Sequence, residues 1–119
     1  TREKANEVKS VEVIGEVKNK DVIIVDDLID TGGTIAMASN VIMDKGAKSV
    51  RAIITHPVLS GNAEENLENS SLIELVVTDS IPLNIRNKKI KVLSIAGLFA
   101  KAIRKIHENE STSSLFINR

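Results

Sequence analysis

Among the 119 residues there is no cysteine, no tryptophan and no tyrosine, and there are only two phenylalanines, Phe99 and Phe116. Without cysteine the chain can have no disulfide framework and no thiolate nucleophile or ligand. That composition suits a reducing compartment and gives the expectation of a cytoplasmic protein. With so few aromatic side chains the core has to be aliphatic, and the stacking platform used to hold single-stranded nucleic acid is missing. An excess of charge of one sign is missing too. The 16 basic residues cancel the 16 acidic ones, which removes the electrostatic case for nucleic acid or an anionic membrane as a main partner. No apolar run approaches the roughly 20 residues that span a bilayer. The opening TREKANEVKSVE is polar and mixed in charge rather than leader-like. The two histidines, His56 and His107, stand far apart with no cysteine to join them, so no transition-metal motif arises.

What the chain does carry is the stretch VDDLIDTGGT, Val25 to Thr34. The branched residues Val22 to Val25 read as a buried strand that runs into Asp26 and Asp27. A third acid, Asp30, precedes Thr31, Gly32, Gly33 and Thr34, and the helical pattern Ile35 to Lys45 follows at once. Acids at the C-terminal end of a strand, then a glycine turn at a helix start, suit a sugar phosphate. The helix start offers unpaired N–H groups and positive dipole to an anion. The glycines let backbone approach the ligand without a Cβ in the way. The carboxylates can accept hydrogen bonds from sugar hydroxyls or help hold Mg²⁺. A strand, a glycine turn and a capped helix also occur in many α/β proteins with no ligand there. The three acids favour a site, because carboxylates gathered at a buried strand's end repel one another and are costly unless engaged.

Along the rest of the chain the patterning alternates. A strand is expected over 8–17, ending near Gly15, then a tight turn at 18–20 and a central strand over 21–26 that is apolar on both faces. A helix capped by Thr31 or Thr34 should run to Asp44 and stop at Gly46. Next come a strand over 50–55, a helix from Gly61 or Asn62 through Glu68, a strand over 72–77 and a long loop through residues 80–89. A strand over 90–95 and a helix from Leu98 to Glu108 follow, the helix having Leu98, Ala102, Ile103 and Ile106 on its apolar side. Strands alternating with helices imply a parallel sheet with right-handed crossovers. Ligands in such sheets gather beyond the strands' C-terminal ends, where Asp26, Asp27, His56, Thr78 and Asp79 are expected together.

These segments resemble the ribose-phosphate pyrophosphokinase family, whose sugar-phosphate half has the type I phosphoribosyltransferase fold. The resemblance runs through GEVKNKDVIIVDDLIDTGGTI, KGAKSVRAIITHPVLSG, ELVVTDSIPL and AKAIRKIHENESTSSLF, in that order, and so covers nearly the whole chain. It implies an α/β fold with a three-layer parallel-sheet architecture. Residues 1–119 would be an incomplete C-terminal domain, with the N-terminal half and the start of the catalytic loop absent. It also implies transfer of a diphosphoryl group from ATP to the anomeric hydroxyl of ribose 5-phosphate, with Mg²⁺ shielding the charge. Asp30, Thr31, Gly32, Gly33 and Thr34 would cradle the 5-phosphate. Asp26 would bind ribose hydroxyls, and Asp27 would support that contact or a metal. Arg2 would fall on the last arginine of a mobile catalytic loop, whose lysine is absent, so no residue here is assigned a catalytic role. Ser111 and Ser113 would join an allosteric phosphate site. The N-terminal half of the same enzyme and further copies, up to a hexamer, would be partners.

The other polar residues carry plainer readings beside functional ones. His56 before Pro57 reads first as a turn histidine bonded to backbone, with adenine or phosphate contact as the alternative. His107 suits the negative end of its helix, and Lys101, Arg104 and Lys105 read as a solvated face. Asp79 and Ser80 either line the far side of a cleft or make a simple turn. Two other functions fit the same loop: a phosphoribosyltransferase acting on a base, for which no base-selecting hood is visible, and a non-catalytic synthetase-associated homologue, against which the intact DTGGT speaks.

Overall fold

The protein is described from a computed structural model that defines residues 12–109 together with 112 and 115. The elements follow in the order β1 (Asp21–Ile29), α1 (Gly33–Asp44), β2 (Ser49–Pro57), α2 (Ala63–Glu68), β3 (Glu74–Thr78), β4 (Ile90–Leu93) and α3 (Ala96–His107). The four strands form one parallel sheet in the order β1-β2-β3-β4. Among the described residues each strand therefore pairs only with its neighbours in sequence. When successive right-handed crossovers step in one direction, their connections all fall on the same face of the sheet.

The core sits on that face. Val50, Ala52 and Ile54 of β2 and Leu75 and Val77 of β3 alternate with outward residues and are buried. They pack with Ile35 and Ile42 of α1, Ala63 and Leu67 of α2, and Leu59 and Leu72 of the connections. The opposite face is different. Ile23, Val25 and Ile53 stand exposed on it, Val25 at 74%. Arg51 and Glu74, opposite one another in the register, approach to 3.9 Å there. The expectation of a central strand over 21–26, buried on both faces, is thus corrected among the described residues: β1 stands at an edge of the sheet, and the described helices that join the core lie on one face only. A sheet of two layers is what the described residues contain.

Local chemistry explains the boundaries. Gly46 stops α1 in the left-handed conformation, φ 95°. Its N–H donates to the Met43 carbonyl at 3.0 Å and that of Ala47 to Ile42 at 3.4 Å, the two bonds of a Schellman closure. The turn at 18–20 docks on this closure: Lys20 N–H donates to the Val17 carbonyl (3.0 Å), and Asn19 N–H donates to the Gly46 carbonyl (2.9 Å). No strand forms over 12–17, correcting that expectation, while residues 8–11 lie outside the described residues. The amides of this stretch and its turn go elsewhere; that of Lys18, for example, goes to Glu16 Oε1 at 2.9 Å. β1 and β2 run longer than their apolar cores, to Ile29 and Pro57, because Leu28 pairs with His56 and Ile29 with Pro57. β4 is shorter than expected, since the Ile95 amide leaves the ladder and donates to Asp79 Oδ1 at 2.8 Å.

That bond seats the start of α3. The Ile95 N–H, with the Ser94 hydroxyl adding to it, lowers the Asp79 carboxyl below its ordinary value of 3.8. The helix itself keeps its amphipathic pattern, but Leu98, Phe99, Ile103 and Ile106 are exposed, Ile103 at 68%.

Two outcomes follow. Leu75→Ala, at a site with 0% exposure, should destabilise the chain by about 2–5 kcal/mol, while Ile103→Ala should stay within about 0.5 kcal/mol; denaturant melts compare them directly. Asp79 has a depressed folded pKa, so its stabilising contribution is complete above about 3.8 and is lost as pH falls through the lower folded value. The amide shift of Ile95, followed by NMR in acid, should titrate with a midpoint below 3.8.

Candidate functional site

The end of β1 builds a cleft of ≈ 140 Å³ lined by Ile24, Asp26, Leu28, Ile29, Asp30, Thr31, Gly32, Gly33, Thr34, Ile35, Ala38 and Ile54. Small-molecule sites usually run to about 300–1,000 Å³, so this cleft takes one end of a ligand rather than the whole of it. The residues from Asp30 to Thr34 that sequence patterning singles out all come together here, with Asp26. Asp27 does not line the cleft. Asp26 lines the cleft with Ile24, whereas the register with β2 passes from Asp26 to Leu28 and the buried Ile29 breaks strict alternation at this end of the strand. The Asp27 backbone N–H still reaches across to Asp26 Oδ1, at 2.8 Å.

The loop turns into α1 at Gly32, which sits at φ 81°, ψ 2°. A Cβ there would meet Ile29 Cδ1 at 3.6 Å and Asn66 Cβ at 3.7 Å, ordinary contacts. The positive φ, not crowding, is what calls for glycine. Neither Thr31 nor Thr34 caps the helix, correcting that expectation. Gly32 occupies the cap position with no side-chain bond to the helix, and Thr34 lies inside the first turn. Thr31 Oγ1 only approaches the Gly33 N–H, at 3.5 Å. The first amide satisfied in the ordinary helical way is that of Ala36, by the Gly32 carbonyl at 2.9 Å. The amides of the first turn are thus the helix's intrinsic anion donors.

Sequence reasoning missed the other half of this construction. The segment between β2 and α2 grips the loop from the side. The Ile29 carbonyl accepts from Val58 N–H at 3.0 Å and Leu59 N–H at 3.2 Å, and the Asp30 carbonyl accepts from Ser60 N–H at 3.0 Å. The Ser60 hydroxyl donates to the Asp30 carboxylate. Asn66 Nδ2 donates to the Thr31 carbonyl at 2.8 Å. One signal for Asn66 was available: it is an amide side chain beside the buried Leu67 and three residues from the buried Ala63, on a flank of the helix that faces protein. No signal marked Leu59, a buried leucine at φ 51°.

The remaining edge residues form a separate cluster. His56 Nδ1 and Ser80 Oγ lie 2.8 Å apart, and the Thr78 hydroxyl donates to the Thr55 carbonyl at 2.8 Å. His56 therefore bonds to a side chain rather than to backbone, and it does not line the cleft. Asp79 is committed to Ile95. Arg2, Ser111 and Ser113 lie outside the described residues. No group of three or more His, Cys, Asp or Glu side chains suited to a metal occurs among the described residues.

A ribose-phosphate pyrophosphokinase of Wolinella succinogenes is 54% identical over 116 residues, covering 98% of this chain and 38% of the relative. One of Helicobacter hepaticus is 56% identical over 115 residues, with 97% and 37% covered. The crystal structure of phosphoribosylpyrophosphate synthetase from Mycobacterium smegmatis superposes with a TM-score of 0.80 at 44% identity, over 87% of this chain and 35% of that one. The chain thus spans well under half the length of the relatives it matches. The phosphoribosyl synthetase-associated domain family matches residues 2–117, and the chain belongs to that family.

Proposed function

We propose that this chain is the sugar-phosphate-binding, C-terminal part of a ribose-phosphate diphosphokinase. That enzyme converts ATP and ribose 5-phosphate into phosphoribosyl pyrophosphate and AMP for nucleotide synthesis. The observation that carries the reading is the cleft in which the Asp26 carboxylate faces a glycine turn and the uncapped start of α1. A sugar phosphate has both complements: a dianion for the amides of Gly33, Thr34 and Ile35, and neighbouring hydroxyls for a carboxylate acceptor. The size of the cleft suits the phosphate end alone. The high identity to relatives named ribose-phosphate pyrophosphokinase supports the same choice.

In the reaction the anomeric oxygen forms a bond to the β-phosphorus of ATP while the bond from that phosphorus to the α–β bridging oxygen breaks. AMP leaves and the hydroxyl proton is released. This chain's part is to hold the acceptor sugar. The α1 amides and the Thr34 hydroxyl fix the 5-phosphate, and Asp26 orients the ring hydroxyls, which converts much of the cost of meeting ATP into binding. Arg2 and Asp27 complete the family's pattern, and Asp30 belongs to the loop that forms the cradle. A Mg²⁺ ion fits the donor set, since this ion takes one or two carboxylates and shares the substrate's phosphates rather than needing a protein cage. Asp26 would hold it from the cleft, and Asp27 would support that contact or the metal. When bound, the ion supplies charge neutralisation of the transferring phosphates.

The remaining machinery is assigned to other polypeptide. ATP-binding groups would come from the N-terminal part of the same enzyme and from neighbouring copies in a cytoplasmic homo-oligomer. No described helix is long and apolar enough to cross a membrane. The open face of the sheet supports the three-layer type I phosphoribosyltransferase arrangement, because all-parallel sheets are covered on both faces. Ser111 and Ser113 are assigned to a regulatory phosphate site.

The two ends of the ligand can be tested apart. Calorimetry on the chain should detect ribose 5-phosphate, without turnover of ATP. Asp26→Asn should weaken ribose 5-phosphate about tenfold and leave inorganic phosphate bound at least as well, since a nearby negative charge is removed. Equal losses for both ligands, or none for either, would refute the role given to Asp26.

A further inference from the structure

We propose that Ser60 and Asn66 are positioning residues that hold the anion cradle in its binding conformation, with Asp30 serving as their counterpart rather than as a ligand contact. The inference rests on the sugar-phosphate reading of the cleft. A loop that offers amides to an anion has to turn its own acceptors away. Residues 29–31 carry three carbonyls and one carboxylate, and all four are engaged by the segment between β2 and the middle of α2. Ile29 is held by the amides of Val58 and Leu59, and Asp30 by the amide of Ser60. The Asp30 carboxylate is held by the Ser60 hydroxyl, and Thr31 by Asn66 Nδ2 at 2.8 Å.

The carboxylate decides the argument. An anionic side chain in the loop that binds a dianion opposes binding by like-charge repulsion. A hydroxyl that donates to that carboxylate draws its charge off the cleft in a charge-assisted bond. Ser60 does this with its side chain while its amide holds the Asp30 carbonyl, so one residue fixes both polar ends of Asp30. Gly61 follows at φ 58°, and a Cβ there would lie 3.7 Å from Thr31 Cγ2. The approach of the two loops is therefore close. Asn66 acts at the next residue, from an already anchored helix face whose neighbour Leu67 is fully buried.

The experiment measures inorganic phosphate and ribose 5-phosphate binding to the whole chain by calorimetry, with amide chemical shifts read by NMR in the absence of ligand. Ser60→Ala and Asn66→Ala should each weaken both ligands by the same factor, about tenfold. Ser60→Thr, which keeps the hydroxyl, should stay within about twofold. The Gly33 and Thr34 amide shifts should move in Ser60→Ala while those of β3 do not, a pattern that general destabilisation would not produce. Thermal melts identify any variant that fails to fold, and Ser60→Thr keeps the comparison available. Unchanged affinities in both alanine variants overturn the inference while leaving the site standing. A loss confined to ribose 5-phosphate also overturns it, by placing Ser60 at the sugar. If the unaltered chain binds neither ligand, the sugar-phosphate reading fails first and this inference with it.

Discussion

At the end of β1 the Ile29 carbonyl accepts two amides at once, from Val58 and Leu59, and the arrangement of the site depends on that join. It ties the exit of one strand to the exit of the next at the point where both chains must turn. Leu59 can make its share of the join only by adopting a left-handed backbone, and its buried side chain then anchors the turn in the core. With the two exits fused, Asp30 and Thr31 fall within reach of Ser60 and Asn66. Gly32 is left to make the reversal, and α1 starts with its amides toward the cleft. The cradle is therefore a property of two successive β–α connections rather than of one glycine loop.

Much of this was legible in the residues. The β–α alternation, the strands' branched apolar cores and the Gly46 stop were readable because each rests on local preference: branching, periodicity and a positive φ. The stretch from Asp26 to Thr34 was readable as a site because its chemistry is concentrated in sequence. Other features were not readable, for physical reasons. That Asp26 lines the cleft, and Asp27 does not, depends on how the end of β1 sits against β2, which the residues of β1 alone do not fix. The β2–α2 brace is a contact between residues about thirty positions apart, made through backbone amides that every residue possesses. The burial of β1 was misjudged because apolar composition reports what a strand can cover, not what is present to cover it.

The exposed row of Val25 and Ile53 joins two observations that are otherwise separate. Burying a side chain of this kind contributes about 1.5–3 kcal/mol, which the described residues leave unused on this face. The relatives that match almost the whole chain are more than twice its length. On the proposed three-layer arrangement, the same apolar row becomes an internal surface, a buried boundary instead of an open one.

Pairing each strand with its sequence neighbour also bears on the route by which the chain folds. The three pairings join residues such as Asp21 and Ser49, Arg51 and Glu74, and Leu75 and Ile90. The loops they close differ by less than about a factor of two in length, worth no more than about 0.6 kcal/mol in closure entropy. Loop length therefore does not decide the sequence of events, and apolar content does. The β2–β3 pair carries the most completely buried residues, Val50, Ala52, Ile54, Leu75 and Val77, and the brace lies within the connection between those two strands. The hypothesis that follows is a nucleus of β2, α2 and β3 onto which β1 docks afterwards, so that the mould for the cradle exists before the cradle does. Kinetic probes at Ile54 and Asp30 that reported simultaneous ordering would rule it out.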